Sequence, residues 1–257
     1  MNVLVTVRLV PDLVEPLVVT PQEDNLDWEE TSLVLNESDD HALEEALLLK
    51  EKHRARIMVT AFDFGEIDQV LYMAAAKGVD RIIKISWPHR EPPNSLEIVE
   101  TLARLVPALG IDLVLMGCQS PTEFLGMAAP QLAATLGWSY VGVVRGVEGS
   151  GRSEAWRAFK EYPGAILAEM EVRLPAVVGI LTASQPPRYV PVSRIRAAAQ
   201  QVQFETIEGP DELKEPPAAI RRVYLTPVTA HATMLRGSEE EVARQLVELL
   251  LEKGILK

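Results

Sequence analysis

Cysteine is nearly missing from this 257-residue chain, with Cys118 the single example. One cysteine excludes an intrachain disulfide framework and a thiolate metal cluster. Histidine is scarce too, and His41, His53, His89 and His231 are scattered without metal-ligand spacing. There is no GxSxG, no Walker lysine, no GxGxxG, and no two residues that read as a nucleophile with its base. Positive charge is short: 25 Lys and Arg stand against 37 Asp and Glu, for a net charge of −12. That balance argues against nonspecific binding to nucleic acid or to an anionic membrane. No apolar run approaches the roughly 18 residues of a membrane span. The opening MNVLVTVRLVPD carries charge early and has no cleavage-site pattern, so it does not read as a signal peptide. These absences predict a soluble cytoplasmic protein with no thiolate metal cluster and no visible catalytic machinery.

What is present is an apolar fraction of 47%, enough for a sizeable core. Residues 2–7 read as a buried strand closed by Pro11-Asp12, and residues 17–20 and 26–35 as an excursion, with a hairpin as one form. Asn36-Glu37-Ser38-Asp39-Asp40 then offers Ser38 or Asp39 as cap for a helix over residues 40–52, with Glu44, Glu45, Lys50 and Glu51 on its solvated face. Strands over 56–62 and 81–85 and helices over 67–77 and 95–109 follow, with Gly78 and Gly110 as stops. A strand over 113–116, a polar turn over 117–126 and a helix over 127–136 stopped by Gly137 close the series. Alternation of this kind predicts a doubly wound, Rossmann-like parallel sheet with ligands at the carboxyl ends of its strands.

After Trp138 the pattern changes to short β-like runs at 141–147, 152–160, 165–172 and 176–181, read as hairpins extending the sheet. A short helix is expected over 194–201 and an acidic, proline-bearing linker over 203–222. Ser238 and Glu241 form a capping box for a last helix over 239–253, with Val242, Leu246, Leu249 and Leu250 on one stripe. That helix packs either on its own domain or on a partner. The expected division is an α/β nucleotide-binding domain over 1–190, then a partner-recognition segment, acidic linker and helical arm over 191–257.

The turn over 117–126 is the candidate site. It is either an ordinary βα turn or a place where free N–H groups at a helix start hold a phosphate. Cys118 reads as a reactive thiol or, by preference, a small filler. Gln119 either bonds a base or ribose or ties down its own loop.

Six motifs in order carry a resemblance. VLVTVRLVPD is similar to VLVAVKRVxD, and Asn36 to Ala46 stands where NPxDxxAxEEA is found. Lys77-Gly78-Val79-Asp80-Arg81 matches MGADR, and Gly117, Gln119 and Leu136-Gly137-Trp138 fit the frame of G-K-Q-x-x-D-x-D…L-G-W. Leu174 to Val178 matches LPAVV, and Pro187-Arg188-Tyr189 matches PRY. The chain resembles the β subunit of electron transfer flavoprotein, the family that includes the FixA proteins.

The resemblance implies an adenine nucleotide α-hydrolase-like fold and a heterodimer with an α subunit that holds most of the FAD. It implies AMP, or in bifurcating members a second FAD, in this chain. Electrons would pass from dehydrogenases towards a quinone oxidoreductase. Carried over position by position, Thr6, Asn36, Glu37, Ser38, Asp39, Phe62, Gly117, Cys118, Gln119, Ser120, Thr122, Leu125, Gly126, Met127 and Ala128 would face the nucleotide. Its phosphate would rest on the N–H groups of Gly126, Met127 and Ala128. Val192 stands where the family's partner anchor is usually leucine. Thr122, Glu123 and Phe124 replace the D-x-D aspartates, Cys118 replaces lysine, and Met127-Ala128-Ala129 replaces Q-[TV]-[GA]. Phe62 and Phe64 stand where small residues are usual, either stacking on the base or filling its space. A stand-alone nucleotide sensor of the universal-stress type is the competing class, and an adenylate enzyme the third.

Overall fold

The computed structural model describes residues 1–123, 126–149, 155–210, 220–226 and 232–256. The first part runs β1 (Asn2–Thr6), β2 (Leu9–Pro11), β3 (Leu33–Leu35), α1 (Glu37–His53), β4 (Arg56–Phe62), α2 (Ile67–Lys77), β5 (Arg81–Ile85), α3 (Ser95–Ala108), β6 (Leu113–Gly117) and α4 (Ala128–Leu136). Then come β7 (Ser139–Gly149), β8 (Ala155–Tyr162), β9 (Ile166–Arg173), β10 (Ala176–Ile180), α5 (Val192–Gln201), β11 (Glu205–Ile207) and α6 (Glu239–Glu252).

The sheet has nine strands in the order β11-β5-β4-β1-β6-β10-β7-β8-β9. Pairing is parallel from β11 through β7 and antiparallel across β7, β8 and β9. A strand with parallel neighbours on both sides and helices on both faces must be apolar throughout. β6 and β10 accordingly have every residue buried, and β1 all but its first. Each fully buried Val or Leu there contributes about 1.5–3 kcal/mol. The chain steps outward from β1 to β4 and β5, then crosses back to β6 on the other side of β1. The crevice at the carboxyl ends of β1 and β6 is thus the switch point of the sheet.

The helix stops fall as expected. Gly78 and Gly137 sit in the left-handed region at φ 103° and 67° and return N–H bonds to the last carbonyls of α2 and α4.

Four features differ from the expectations. First, α1 begins at Glu37 rather than residue 40, with Asn36 at the cap position but no side-chain cap bond. The Asn36 amide is committed to Gln119 instead. Second, Glu44 and Glu45 are not solvated: they are 2% and 1% exposed. Glu44 pairs with Arg188, and Glu45 accepts from the backbone of Val147 and Ser184. The chain after β6 folds back over this face of α1, and its donors need acceptors.

Third, β10 is no edge hairpin. It inserts between β6 and β7 and pairs in parallel with both. Only β7, β8 and β9 form the antiparallel extension. Fourth, the acidic stretch is not linker from its start, because β11 adds in parallel to β5. Phe204 packs its ring 4.8 Å from that of Tyr72. Residues 211–219 of the expected linker, and 150–154 at the start of the expected 152–160 run, lie outside the described residues. The excursion after β1 pairs Leu9–Pro11 with Leu33–Leu35 as a separate two-stranded sheet, with one bridge between Val19 and Leu26.

By its contacts the chain divides into Met1–Val223 and Tyr224–Lys257. In the second unit Ser238 and Glu241 form the expected capping box, and no residue of α6 is buried.

Candidate functional site

Arg8 follows β1 at the switch point, in a run that is otherwise apolar. A buried guanidinium needs acceptors, and α1, the end of β6 and the loop after it supply them. Nε donates to Asp39 Oδ2 at 2.9 Å and Nη2 to Asp39 Oδ1 at 2.8 Å. Nη2 also reaches the Gly117 carbonyl at 3.1 Å, and Nη1 donates to Glu123 Oε2 at 2.5 Å. Burial works against the charge on Arg8, but the neighbouring carboxylates of Asp39 and Glu123 outweigh it and hold its pKa above the ordinary value.

Each carboxylate has a second task. Asp39 Oδ1 accepts the N–H of Gly117 at 3.0 Å, and Glu123 Oε1 accepts the N–H of Ala128, the first residue of α4, at 3.1 Å. A negative group at a helix start is favoured by the orphan N–H groups and the helix dipole. One guanidinium between two carboxylates leaves the cluster with a formal charge of −1. Gly117 is required by this packing, since an added Cβ would collide with the Asp39 carboxylate and sit 2.8 Å from Ser38 Cβ.

The expected site residues are brought to one edge but not into one open cavity. Thr6 is fully buried, and its hydroxyl has no hydrogen-bond partner among the described residues. Asn36 Nδ2 donates to the Gln119 carbonyl at 3.1 Å, so these residues tie the two loops together. Glu37 is exposed at the start of α1, and Ser38 is buried against Gly117. Cys118 donates its N–H to the Ile180 carbonyl, and burial pushes its thiol pKa up. Ser120 and Thr122 share a hydroxyl bond of 2.8 Å. Gly126 holds φ 58°, and Met127 is half-exposed. Leu125 lies outside the described residues. Val192 is exposed at the first residue of α5.

Residue reasoning passed over Arg8 and Glu123. The signal for Arg8 was a charged residue inside VLVTVRLV. Glu123 carried none, since its partners are 115 residues away and five residues ahead.

An adenine nucleotide does not fit these residues as they stand. The Ala128 N–H expected to hold phosphate is taken by Glu123, and the N–H of Gly126 points to the Glu123 carbonyl. Phe62 lies edge-on to Trp87 with ring centres 5.3 Å apart, and Phe64 edge-on to Trp28 at 5.8 Å. Phe62 therefore fills the base region rather than offering a face, while Phe64 packs on Trp28 beside a neighbouring cleft. The cavity between Val7, Arg8, Phe62, Phe64 and Thr122 measures about 20 Å³. That admits about one water, against the roughly 300 Å³ or more of a small-molecule pocket. A larger cleft of about 670 Å³ lies beside Trp28, Leu33, Gly65 and Gln69; Phe64 lines it, and Thr6, Asn36, Phe62 and Gly117 do not. Among the described residues no group of His, Cys, Asp or Glu is arranged to hold a metal, and no helix is long and apolar enough to cross a membrane.

The family profile described as "Electron transfer flavoprotein domain" matches residues 28–212. The electron transfer flavoprotein subunit beta of Methylophilus methylotrophus is 27% identical, with 98% of each chain covered. That of Bacillus subtilis is 26% identical over 97% of each chain, and the human protein 26% identical over 82% of each. With the alternating α/β sheet, its switch point and the ordered motifs all in place, this chain belongs to the β-subunit family of the electron transfer flavoproteins.

Proposed function

We propose that the chain is the β subunit of a heterodimeric electron transfer flavoprotein. It pairs with an α subunit that holds the FAD and forms part of the base beneath that flavin. The complex takes electrons from dehydrogenases and passes them towards a quinone oxidoreductase. The chain acts as a carrier subunit in the cytoplasm and has no catalytic residue of its own.

The observation that carries this reading is α6. It is a capped amphipathic helix with Leu246, Val247 and Leu251 exposed. A helix of this length is only marginally stable unpacked in water, so these exposed apolar side chains call for a partner surface. α5 supports the second contact: Val192 is 58% exposed beside the still more open Tyr189, a small apolar anchor suited to a transient dehydrogenase partner. The AMP or second FAD that the resemblance implies for this chain does not fit its residues, so no part of the carrier role runs through it. A stand-alone nucleotide sensor would need the crevice that Glu123 and Phe62 close.

The test is co-expression with an electron transfer flavoprotein α subunit from the same source. A one-to-one complex with a flavin spectrum is expected, and a colourless chain when expressed alone. A full-length chain that stays monomeric beside its α subunit would refute the reading.

A further inference from the structure

We infer that Glu123 supplies from within the chain the anion that a nucleotide phosphate would otherwise supply, so that this β subunit folds and pairs without an adenine nucleotide. The inference uses the β-subunit reading only for the expectation of a nucleotide. The geometry stands by itself.

A phosphate at this switch point needs two things: N–H groups at the start of α4 and a cation nearby. Both are present, and the Ala128 N–H and the Arg8 guanidinium are engaged. One carboxylate oxygen of Glu123 takes the Ala128 N–H at 3.1 Å, and the other takes the Arg8 guanidinium at 2.5 Å. The Glu123 side chain is 5% exposed and Arg8 7%, so neither group is a loose surface charge that swings aside freely.

An arriving phosphate would have to displace Glu123 and then lie beside the fixed carboxylate of Asp39, which already uses two of the guanidinium donors. Like charges held together in a buried site oppose one another strongly. The base end is filled independently by the packed and buried rings of Phe62 and Trp87. A carboxylate on the phosphate end and aromatic packing on the base end thus exclude the two halves of one ligand.

The inference is tested on the full chain and on the heterodimer. The purified heterodimer is denatured, and the released small molecules are separated by chromatography. FAD without AMP or ADP is expected, and stoichiometric AMP, or two FAD per heterodimer, overturns the inference. If no heterodimer forms, the β-subunit reading fails, and titration of the full chain with AMP by calorimetry decides this inference instead.

In that titration the wild-type chain is expected to bind neither AMP nor inorganic phosphate, while Glu123→Ala, freed of the internal anion but still filled at the base end, gains at least about tenfold in affinity for inorganic phosphate. Tight AMP binding by the wild type, or no gain in phosphate binding by the folded variant, overturns the role of Glu123. Should Glu123→Ala fail to fold, Glu123→Gln keeps the side-chain volume, removes one of the two carboxylates while Arg8 stays paired with Asp39, and is read in the same way.

Discussion

Arg8 and Asp39, 31 residues apart, meet through two parallel N–H···O bonds of 2.9 and 2.8 Å, with the carboxylate wholly buried. The pair fastens the end of β1 to the first turn of α1. Through the Gly117 N–H it also fastens the end of β6. Three elements that converge at the switch point are therefore held by one ion pair.

Removing one partner of a buried pair strands the other. Arg8→Ala is expected to lower stability by about 3–5 kcal/mol, measured by urea unfolding. Arg8→Lys should recover only part of this, because an ammonium cannot match the two-pronged geometry.

Gly117→Ala places a methyl group against the Asp39 carboxylate and Ser38. Overpacking of this kind costs about 1–3 kcal/mol. A stability equal to wild type in urea would show that the end of α1 shifts freely, contrary to its tethering by Arg8.

Glu45 accepts the Val147 N–H at 2.7 Å and the Ser184 N–H at 2.8 Å. Glu45→Ala leaves both donors without an acceptor, at about 1–3 kcal/mol for each that stays buried. Faster amide exchange at Val147 and Ser184, ahead of β1 and β6, is the expected signature.

Burial raises the pKa of Cys118, so less of the thiol is ionised at neutral pH than in an open peptide. The thiolate is the nucleophile. Iodoacetamide should therefore label the folded chain slowly and the urea-unfolded chain at the ordinary rate. With one cysteine in the chain the measurement is unambiguous. Rapid labelling of the folded chain would assign Cys118 a reactive role after all.

Leu246→Glu with Leu251→Glu puts charge on two exposed apolar positions of α6. Affinity for the α subunit should fall by about 2 kcal/mol or more, read by analytical gel filtration at falling concentration. Unchanged pairing would remove α6 from the proposed interface.

The alternating part of the fold was legible because buried parallel strands are continuous apolar runs and the helices α2, α3 and α4 stop at Gly78, Gly110 and Gly137, each with a left-handed φ. The position of β10 was not legible. A run such as AVVGI has the same composition in an edge hairpin or in the middle of a sheet, and only its long-range neighbours decide. β11 has three residues, too few for any period to show. Glu44 and Glu45 were read as solvated because charge usually is, and Arg188 lies 144 residues from Glu44. At the site, the glycine-bounded loop marked the right edge of the sheet. Glu123 looked like a lost family aspartate, and what its carboxylate does depends on Arg8 and the start of α4.

β10 closes the space between β6 and β7 from a segment made after both. During synthesis, then, the middle of the sheet is an open slot until Ile180 has left the ribosome, with two rows of N–H and C=O groups facing it. A chain halted before Ala176 keeps that slot, and any strand of suitable length, including one from a second halted chain, can enter it. Unfinished copies of this protein are therefore expected to be adhesive where finished ones are sealed.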